Sequence, residues 1–252
     1  MDRIFTHDLM AYEGLKILQK EGSFRFSLDS LLLGDFVTIK PSAKKLMELG
    51  CGSGAVLLYL SLKTKIKLMG VDIQKDSVEL ALESIKLNGL ESQISVFNQD
   101  IKTVHNDFLP NSVDIVVSNP PFFKVNDLKM TNPNLKLSLS RHEIGINFKE
   151  ILLATKKILK TNGSFFFIHR ASRLEEIIGD LQSENFVIKT IRFVYTKHGK
   201  DALMVLIEAR LNGKIGNLKV LEPLYVYEIN GDYSEEILRI FHLGDKNYVT
   251  KS

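Results

Sequence analysis

Apolar and polar positions change rhythm repeatedly along the chain. Lys44–Leu49 (KKLMEL) is a short apolar run and predicts a strand, and Ala55–Leu62 (AVLLYLSL) predicts a helix. Lys67–Asp72 (KLMGVD) predicts a second strand. Lys75–Leu87 has apolar residues at 78, 81, 82 and 85, a helical period, and stops at Asn88-Gly89, a helix C-terminal signal. Ile94–Asn98 and Val113–Ser118 predict a third and a fourth strand. A loop containing Pro and Asn follows at 119–146, then a helix over about 147–160, a strand at 164–169 and a helix over about 171–182. Two last strands lie near 186–196 and 202–211. Regular β-α alternation implies an α/β protein, a parallel sheet covered by helices on both faces. The last two strands are too close in sequence for a crossover helix and should form an antiparallel hairpin at one edge.

The ends of the chain break this rhythm. Leu15–Gln19 and Phe24–Ser27 flank Gly22-Ser23 and predict a hairpin. Asp29 reads as the cap of a short helix, Ser30–Val37. Beyond 212 a strand (Leu224–Ile229) and a helix capped by Ser234 are expected, without a clear place in the core. The division is then an N-terminal segment 1–40, a core 41–212 and a C-terminal extension 213–252.

Composition narrows the class. With 252 residues, 44% hydrophobic and 25% charged, the chain is neither disordered nor fibrous. A single cysteine, Cys51, excludes an internal disulfide and a Cys-rich zinc site, and fits a reducing compartment. The N-terminus has no apolar leader-like stretch, and no run approaches the length of a membrane span. A soluble, cytoplasmic protein without a membrane partner is expected, with a monomer slightly favoured. The six histidines, at 7, 105, 142, 169, 198 and 242, have no metal-binding spacing, so no metal is expected. His169 ends an apolar strand and reads as a packed or capping residue.

The strand ending at Glu48 runs into Leu49-Gly50-Cys51-Gly52-Ser53-Gly54, and a helix opens at once. Glycine admits left-handed backbone angles and leaves no Cβ in a ligand's way, and the helix start offers unpaired N–H groups. Such turns at strand C-termini are where open α/β sheets bind ligands. Gly50, Gly52 and Ala55 also satisfy the dinucleotide pattern, so a nicotinamide cofactor is formally allowed; no Gly-Lys-Ser/Thr follows, so a P-loop is not. Asp72 ends the second strand 22 residues after Gly50, placed to accept from ribose hydroxyls. Asp100, just past the third strand, could meet an adenine amino group.

After the fourth strand comes Asn119-Pro120-Pro121-Phe122. Proline fixes its own φ and restricts the residue before it, so Asn119 and Pro120 are held extended. The Asn119 side-chain oxygen and the Pro120 carbonyl are then two fixed acceptors, neither of them a base. They suit a planar substrate bearing an NH2 group, with Phe122 as a stacking face. Positive charge growing on the nitrogen during attack is stabilised by the two oxygens, the oxyanion-hole argument with its sign reversed.

Glu48–Gly54 together with Asn119–Phe122 resembles the amino-methylating branch of the class I S-adenosylmethionine-dependent methyltransferases, over about residues 44–211. The resemblance implies a Rossmann-like, seven-stranded, mostly parallel sheet with an antiparallel edge hairpin, and S-adenosyl-L-methionine as cofactor. It implies cofactor contacts from Glu48, Gly50, Cys51, Gly52, Gly54, Asp72, Ile73, Asp100, Ile101 and Asn119. Asn119, Pro120, Pro121 and Phe122 would hold the amine. Phe24–Leu33 (FRFSLDSLLL) and Ser138–Glu143 (SLSRHE) look like segments of the family that methylates N6 of the adenine next to the anticodon of valine tRNA. In those relatives the upstream segment closes over cofactor and substrate. Phe122 stands where many adenine-specific relatives have tyrosine. Asn-Pro-Pro-Phe also occurs in guanine N2-methyltransferases of ribosomal RNA. Methylation of a protein glutamine and a catalytically inactive RNA or protein adaptor also remain open.

An RNA partner changes the meaning of the charge. The total is only +3, but residues 120–200 carry 14 basic and 7 acidic groups, while both flanking parts are net negative. The segments Lys124–Arg141, Arg170–Arg173 and Lys197–Lys200 follow strand ends, the first two at the C-terminal edge of the sheet. The expected substrate contacts are Phe26, Asp29, Phe122, Phe123, Lys124, Arg141, His142, Arg170, Arg173 and Lys197, the cations serving phosphates.

Overall fold

The computed structural model describes residues 4–9, 14–20, 27–120 and 146–248. A two-stranded antiparallel ribbon, β1 (Ile4–Asp8) and β2 (Lys16–Lys20), leads into helix α1 (Leu28–Phe36). The core then runs β3 (Lys45–Leu49), α2 (Ala55–Lys63), β4 (Lys67–Asp72), α3 (Lys75–Leu87) and β5 (Ile94–Asn98). A 3-10 turn (Ile101–Asn106) precedes β6 (Val113–Ser118), and α4 (Phe148–Ile158) passes directly into β7 (Leu159–Arg170). The rest is α5 (Leu174–Ser183), β8 (Phe186–Tyr195), β9 (Ala202–Leu211), β10 (Lys219–Val220), β11 (Leu224–Tyr225) and α6 (Glu235–Phe241).

Among the described residues the main sheet has nine strands, in the order β10-β8-β9-β7-β6-β3-β4-β5, with β11 also paired to β8. Seven are the expected core strands. The neighbours from β5 through β7 are parallel, and β9 is antiparallel to both β7 and β8. β8 therefore points the same way as the parallel core. The two added strands come from the chain beyond 212, so β8 is not a bare edge.

Side-chain parity along the strands divides the core into two layers. Leu46, Leu68, Val96, Val117 and Phe166 face α1, α2, α3 and α6. Met47, Val71, Val116, Phe165 and Phe167 face α4 and α5. The C-terminal residues Leu224, Val226, Ile237 and Ile240 are buried in the first layer, so the motif-free tail completes the core. Helix α6 starts as the sequence predicts, with Ser234 accepting from the Ile237 N–H. Helix α4 carries a reciprocal capping box between Asn147 and Glu150.

The N-terminal ribbon differs from expectation. Lys16–Lys20 pairs with Ile4–Asp8; of the expected partner Phe24–Ser27, residues 24–26 lie outside the described residues, Ser27 is the N-cap of α1, and Asp29 lies in its first turn. Ile4–Asp8 has no apolar face, its residues alternating between exposed and half-buried, so hydrophobic patterning misses it. Strand β2 docks on α3 through side chains that imitate a neighbouring strand. Asn88 accepts from the Lys16 N–H at 2.8 Å and donates to its carbonyl at 2.7 Å, and Ser84 Oγ accepts from the Leu18 N–H at 2.9 Å.

Candidate functional site

The sequence-predicted cofactor residues gather at the C-terminal ends of four adjacent parallel strands, β5, β4, β3 and β6. Gly50, Gly52 and Gly54 have φ of +76°, +51° and +84°, the left-handed region that glycine adopts without strain. The loop is tied to β4: the Gly50 and Cys51 N–H groups both donate to the Val71 carbonyl, at 2.9 and 3.1 Å. A Cβ added at Gly52 would meet nothing within 4 Å, so this turn borders open space.

Two carboxylates sit under the loop. Asp72, 8% exposed, accepts from the Gly52 N–H through Oδ2 at 2.8 Å and from the Gln74 N–H through Oδ1 at 2.9 Å. Glu48 is 2% exposed, and its Oε2 is buried with no hydrogen-bond partner among the described residues. Burial, reinforced by the negative charge of Asp72, pushes its carboxyl well above the usual range. A buried acceptor with no partner is costly unless a ligand completes it. Burial likewise pushes the Cys51 thiol up, so Cys51 packs under the loop as a neutral group. Asp100 caps the 3-10 turn, its Oδ1 accepting from the Lys102 N–H at 2.8 Å. Beside these acids Ile73 is exposed, whereas Ile101 is buried.

Asn119 follows β6, next to the glycine loop. Ser118 Oγ donates to the Leu49 carbonyl at 2.9 Å, which pins the end of β6 to the end of β3. Asn119 Nδ2 donates to Ser30 Oγ of α1 at 3.4 Å. Ser30 is a contact the sequence did not single out; a small polar residue in an apolar helix carries no signal without the fold. Phe26, Pro121, Phe122, Phe123, Lys124, Arg141 and His142 lie outside the described residues, as does the rest of Lys124–Arg141.

A glycine turn between two carboxylates, beside an Asn-Pro step, is the arrangement that comparison with known proteins resolves. Residues 40–225 match the family model described as a methyltransferase domain. The chain belongs to this methyltransferase family. Among curated relatives, a tRNA1(Val) (adenine(37)-N6)-methyltransferase of Tolumonas auensis is 25% identical over 243 residues, covering 96% of this chain and 97% of the relative. An enzyme of the same name from a Flavobacteriaceae bacterium is 28% identical, covering 90% of this chain and 94% of its own. Among solved structures, a predicted O-methyltransferase from Agrobacterium tumefaciens superposes with a TM-score of 0.66 at 19% identity, covering 89% of this chain and all of that one. P. horikoshii TYW2, solved in complex with MeSAdo, gives 0.56 at 14% identity, covering 84% of this chain and 73% of that one.

The candidate site has a basic side. Arg170 ends β7, close to Asp29 of α1, whose carboxyl is raised by burial against the opposing effects of a Ser27 hydrogen bond and the Arg170 charge. Arg173 is already engaged: its guanidinium pairs with Glu176 at 2.7 and 3.2 Å, and its side chain is only 18% exposed. Lys197 and Lys200 are exposed. Because β8 runs parallel to the core, Lys197–Lys200 also lies at the C-terminal edge of the sheet, in addition to the two segments expected there. His169 is fully buried, as expected. Its Nδ1 accepts from the Arg170 N–H at 2.8 Å, Phe148 packs edge-on against its ring, and burial brings its pKa down to about 4. No helix among the described residues is long and apolar enough to cross a membrane.

Proposed function

We propose that this chain transfers a methyl group from S-adenosyl-L-methionine to the exocyclic N6 amine of an adenine in tRNA, next to the anticodon. The observation that carries this reading is Asn119-Pro120 at the end of β6, one strand away from the glycine loop of β3. The names of the relatives favour adenine in tRNA over the other amines an Asn-Pro pair can hold.

The residues present fit the cofactor. The unpartnered Glu48 Oε2 suits a cationic amine, the open Gly52 turn suits a close backbone approach, and the strand-end carboxylate of Asp72 suits ribose hydroxyls. Asp100, Ile73 and Ile101 would border the adenine. When bound, the cofactor supplies an electrophilic methyl group on a sulfonium.

The chain's own residues do the rest. Asn119 Oδ1 and the Pro120 carbonyl accept the two N–H bonds of the substrate amine, aim its lone pair and stabilise the positive charge that grows on nitrogen. Neither can take a proton for good, so the proton leaves to solvent. Phe122 supplies the stacking face, with Pro121 fixing its approach. Phe26, Asp29 and Phe123 close around the base. Lys124, Arg141, His142, Arg170 and Lys197 meet the backbone, Arg173 less readily because Glu176 holds it. We infer that the enzyme works in the cytoplasm.

The test offers labelled S-adenosylmethionine with unmodified tRNA and rRNA. Label is expected in tRNA as N6-methyladenosine; label in rRNA guanine alone overturns the reading. Asn119→Ala should lower transfer by about 10²–10³-fold and leave cofactor affinity within about twofold.

A further inference from the structure

An asparagine can hold an amine only if its oxygen end faces it. The two ends of the amide are nearly equal in size, so packing alone does not choose between them, and a reversed amide would point two donors at two donors. The amide must also be held in place before substrate arrives. We propose that Ser30 is the positioning residue that does so: its Oγ meets Asn119 Nδ2 and holds the side chain with Oδ1 toward the cleft. This rests on the reading of Asn119 as the amine-holding residue.

Three observations support it. Ser30 is 7% exposed and sits beside the fully packed Leu31, Leu32 and Leu33, so its hydroxyl has a fixed place. Helix α1 is itself locked onto α2. Lys63 Nζ donates to the carbonyls of Gly34, at 3.0 Å, and Val37, at 2.9 Å, and also to that of Asp35; Tyr59 donates to the Asp35 carboxylate at 3.2 Å. On the other side, Ser118 ties the residue before Asn119 to the glycine-loop strand. The 3.4 Å separation lies at the long end of the hydrogen-bond range. Ser30 therefore links α1, which precedes the residues 40–225 that match the family model, to the end of β6.

The experiment has two readouts. In the free protein, the side-chain amide resonances of 15N-labelled Asn119 are identified by their loss in Asn119→Ala. Ser30→Ala should shift them and speed their hydrogen exchange, while Ser30→Thr should keep them near the wild-type positions. Unchanged Asn119 resonances in Ser30→Ala overturn the proposal. With tRNA, Ser30→Ala should lower kcat about five- to tenfold with cofactor affinity, KM and Tm nearly unchanged, and Ser30→Thr should restore it. Resonances that move without a fall in kcat also overturn it, because the contact would then exist without positioning anything. The resonance measurement uses no substrate. Inactivity of the wild-type chain on tRNA would count against the substrate assignment and leave the Ser30 result standing.

Discussion

Replacing Asp72 tests whether one carboxylate both braces the glycine loop and waits for a ligand. It accepts from the Gly52 and Gln74 N–H groups at 2.8 and 2.9 Å. A hydrogen bond to a charged group contributes about 1.5–3 kcal/mol. Gly52 and Gln74 are half-buried, so water recovers part of each bond and the low end applies, about 3 kcal/mol for the pair. Removing the charge also relieves Glu48, whose carboxyl is pushed up by burial and in part by Asp72, and so offsets part of that loss. The net loss for Asp72→Ala is about 2 kcal/mol, or a Tm lower by about 4–8 °C in a chain of this size. Asp72→Asn should be no better, because an amide presents its own N–H to one of the two donors. Both variants should bind S-adenosylmethionine at least about tenfold more weakly, since the charged acceptor proposed for its hydroxyls is lost. Thermal unfolding and titration calorimetry measure both effects. Wild-type Tm in either variant would refute the bracing argument, and unchanged cofactor affinity would refute the second role.

Three further outcomes follow from buried groups elsewhere. Glu48 has a raised carboxyl pKa, so the folded state holds its proton longer than the unfolded chain, and wild-type stability declines as pH rises from the ordinary glutamate range toward the raised value. Glu48→Gln should remove that decline, gain about 1 kcal/mol at neutral pH in urea unfolding, and weaken cofactor binding. His169 is held neutral, with a pKa of about 4 against 6.5, so stability should fall as pH drops through that window, by up to about 3 kcal/mol. His169→Gln should flatten this part of the stability profile. At Gly34 an added Cβ would lie 2.6 Å from Tyr59 Cδ1, in a buried helix contact. Glycine to alanine inside a helix ordinarily gains up to about 1 kcal/mol, but overpacking costs about 1–3, so Gly34→Ala should destabilise; a gain in Tm would mean that the helices are not in close contact.

The seven core strands were legible because each is a short apolar run bounded by turn residues, and the order of the chemistry followed from where those runs stop. Ile4–Asp8 was not legible, because it has no apolar face and gains its place from β2. The two-residue strand β10 is too short to leave a period; β11 begins where the strand Leu224–Ile229 is expected but spans only Leu224–Tyr225, although Val226 beyond it is also buried. In the site, Asp72 was legible as a strand-end acid. Its bond to Gly52, 20 residues earlier, exists only because β3 and β4 pair in parallel and finish together. Ser30 and Asn119 are 89 residues apart, and only the packing of α1 over the sheet brings them together. Contacts of this kind depend on tertiary geometry that no local pattern encodes.

The sheet order also sorts the charges. Glu48, Asp72 and Asp100 occupy the ends of β3, β4 and β5, while Arg170, Lys197 and Lys200 follow β7 and β8. One half of the edge suits a cationic cofactor and the other a polyanion. β8 stands three strand spacings from β6, about 14 Å, so its lysines can reach backbone phosphates flanking a base held at Asn119 without touching that base. Asn119 stands at the junction of the two halves, and its lack of charge matters there. A carboxylate at 119 would accept from an amine equally well. But full negative charge beside a sulfonium stabilises the ground state, where the positive charge is concentrated, more than the transition state, where it is spread over sulfur, methyl and nitrogen. It would also be drawn toward the basic half. On the proposed reading, a neutral amide aimed by a hydroxyl from α1 would hold the amine while leaving the charges on either side to their own ligands.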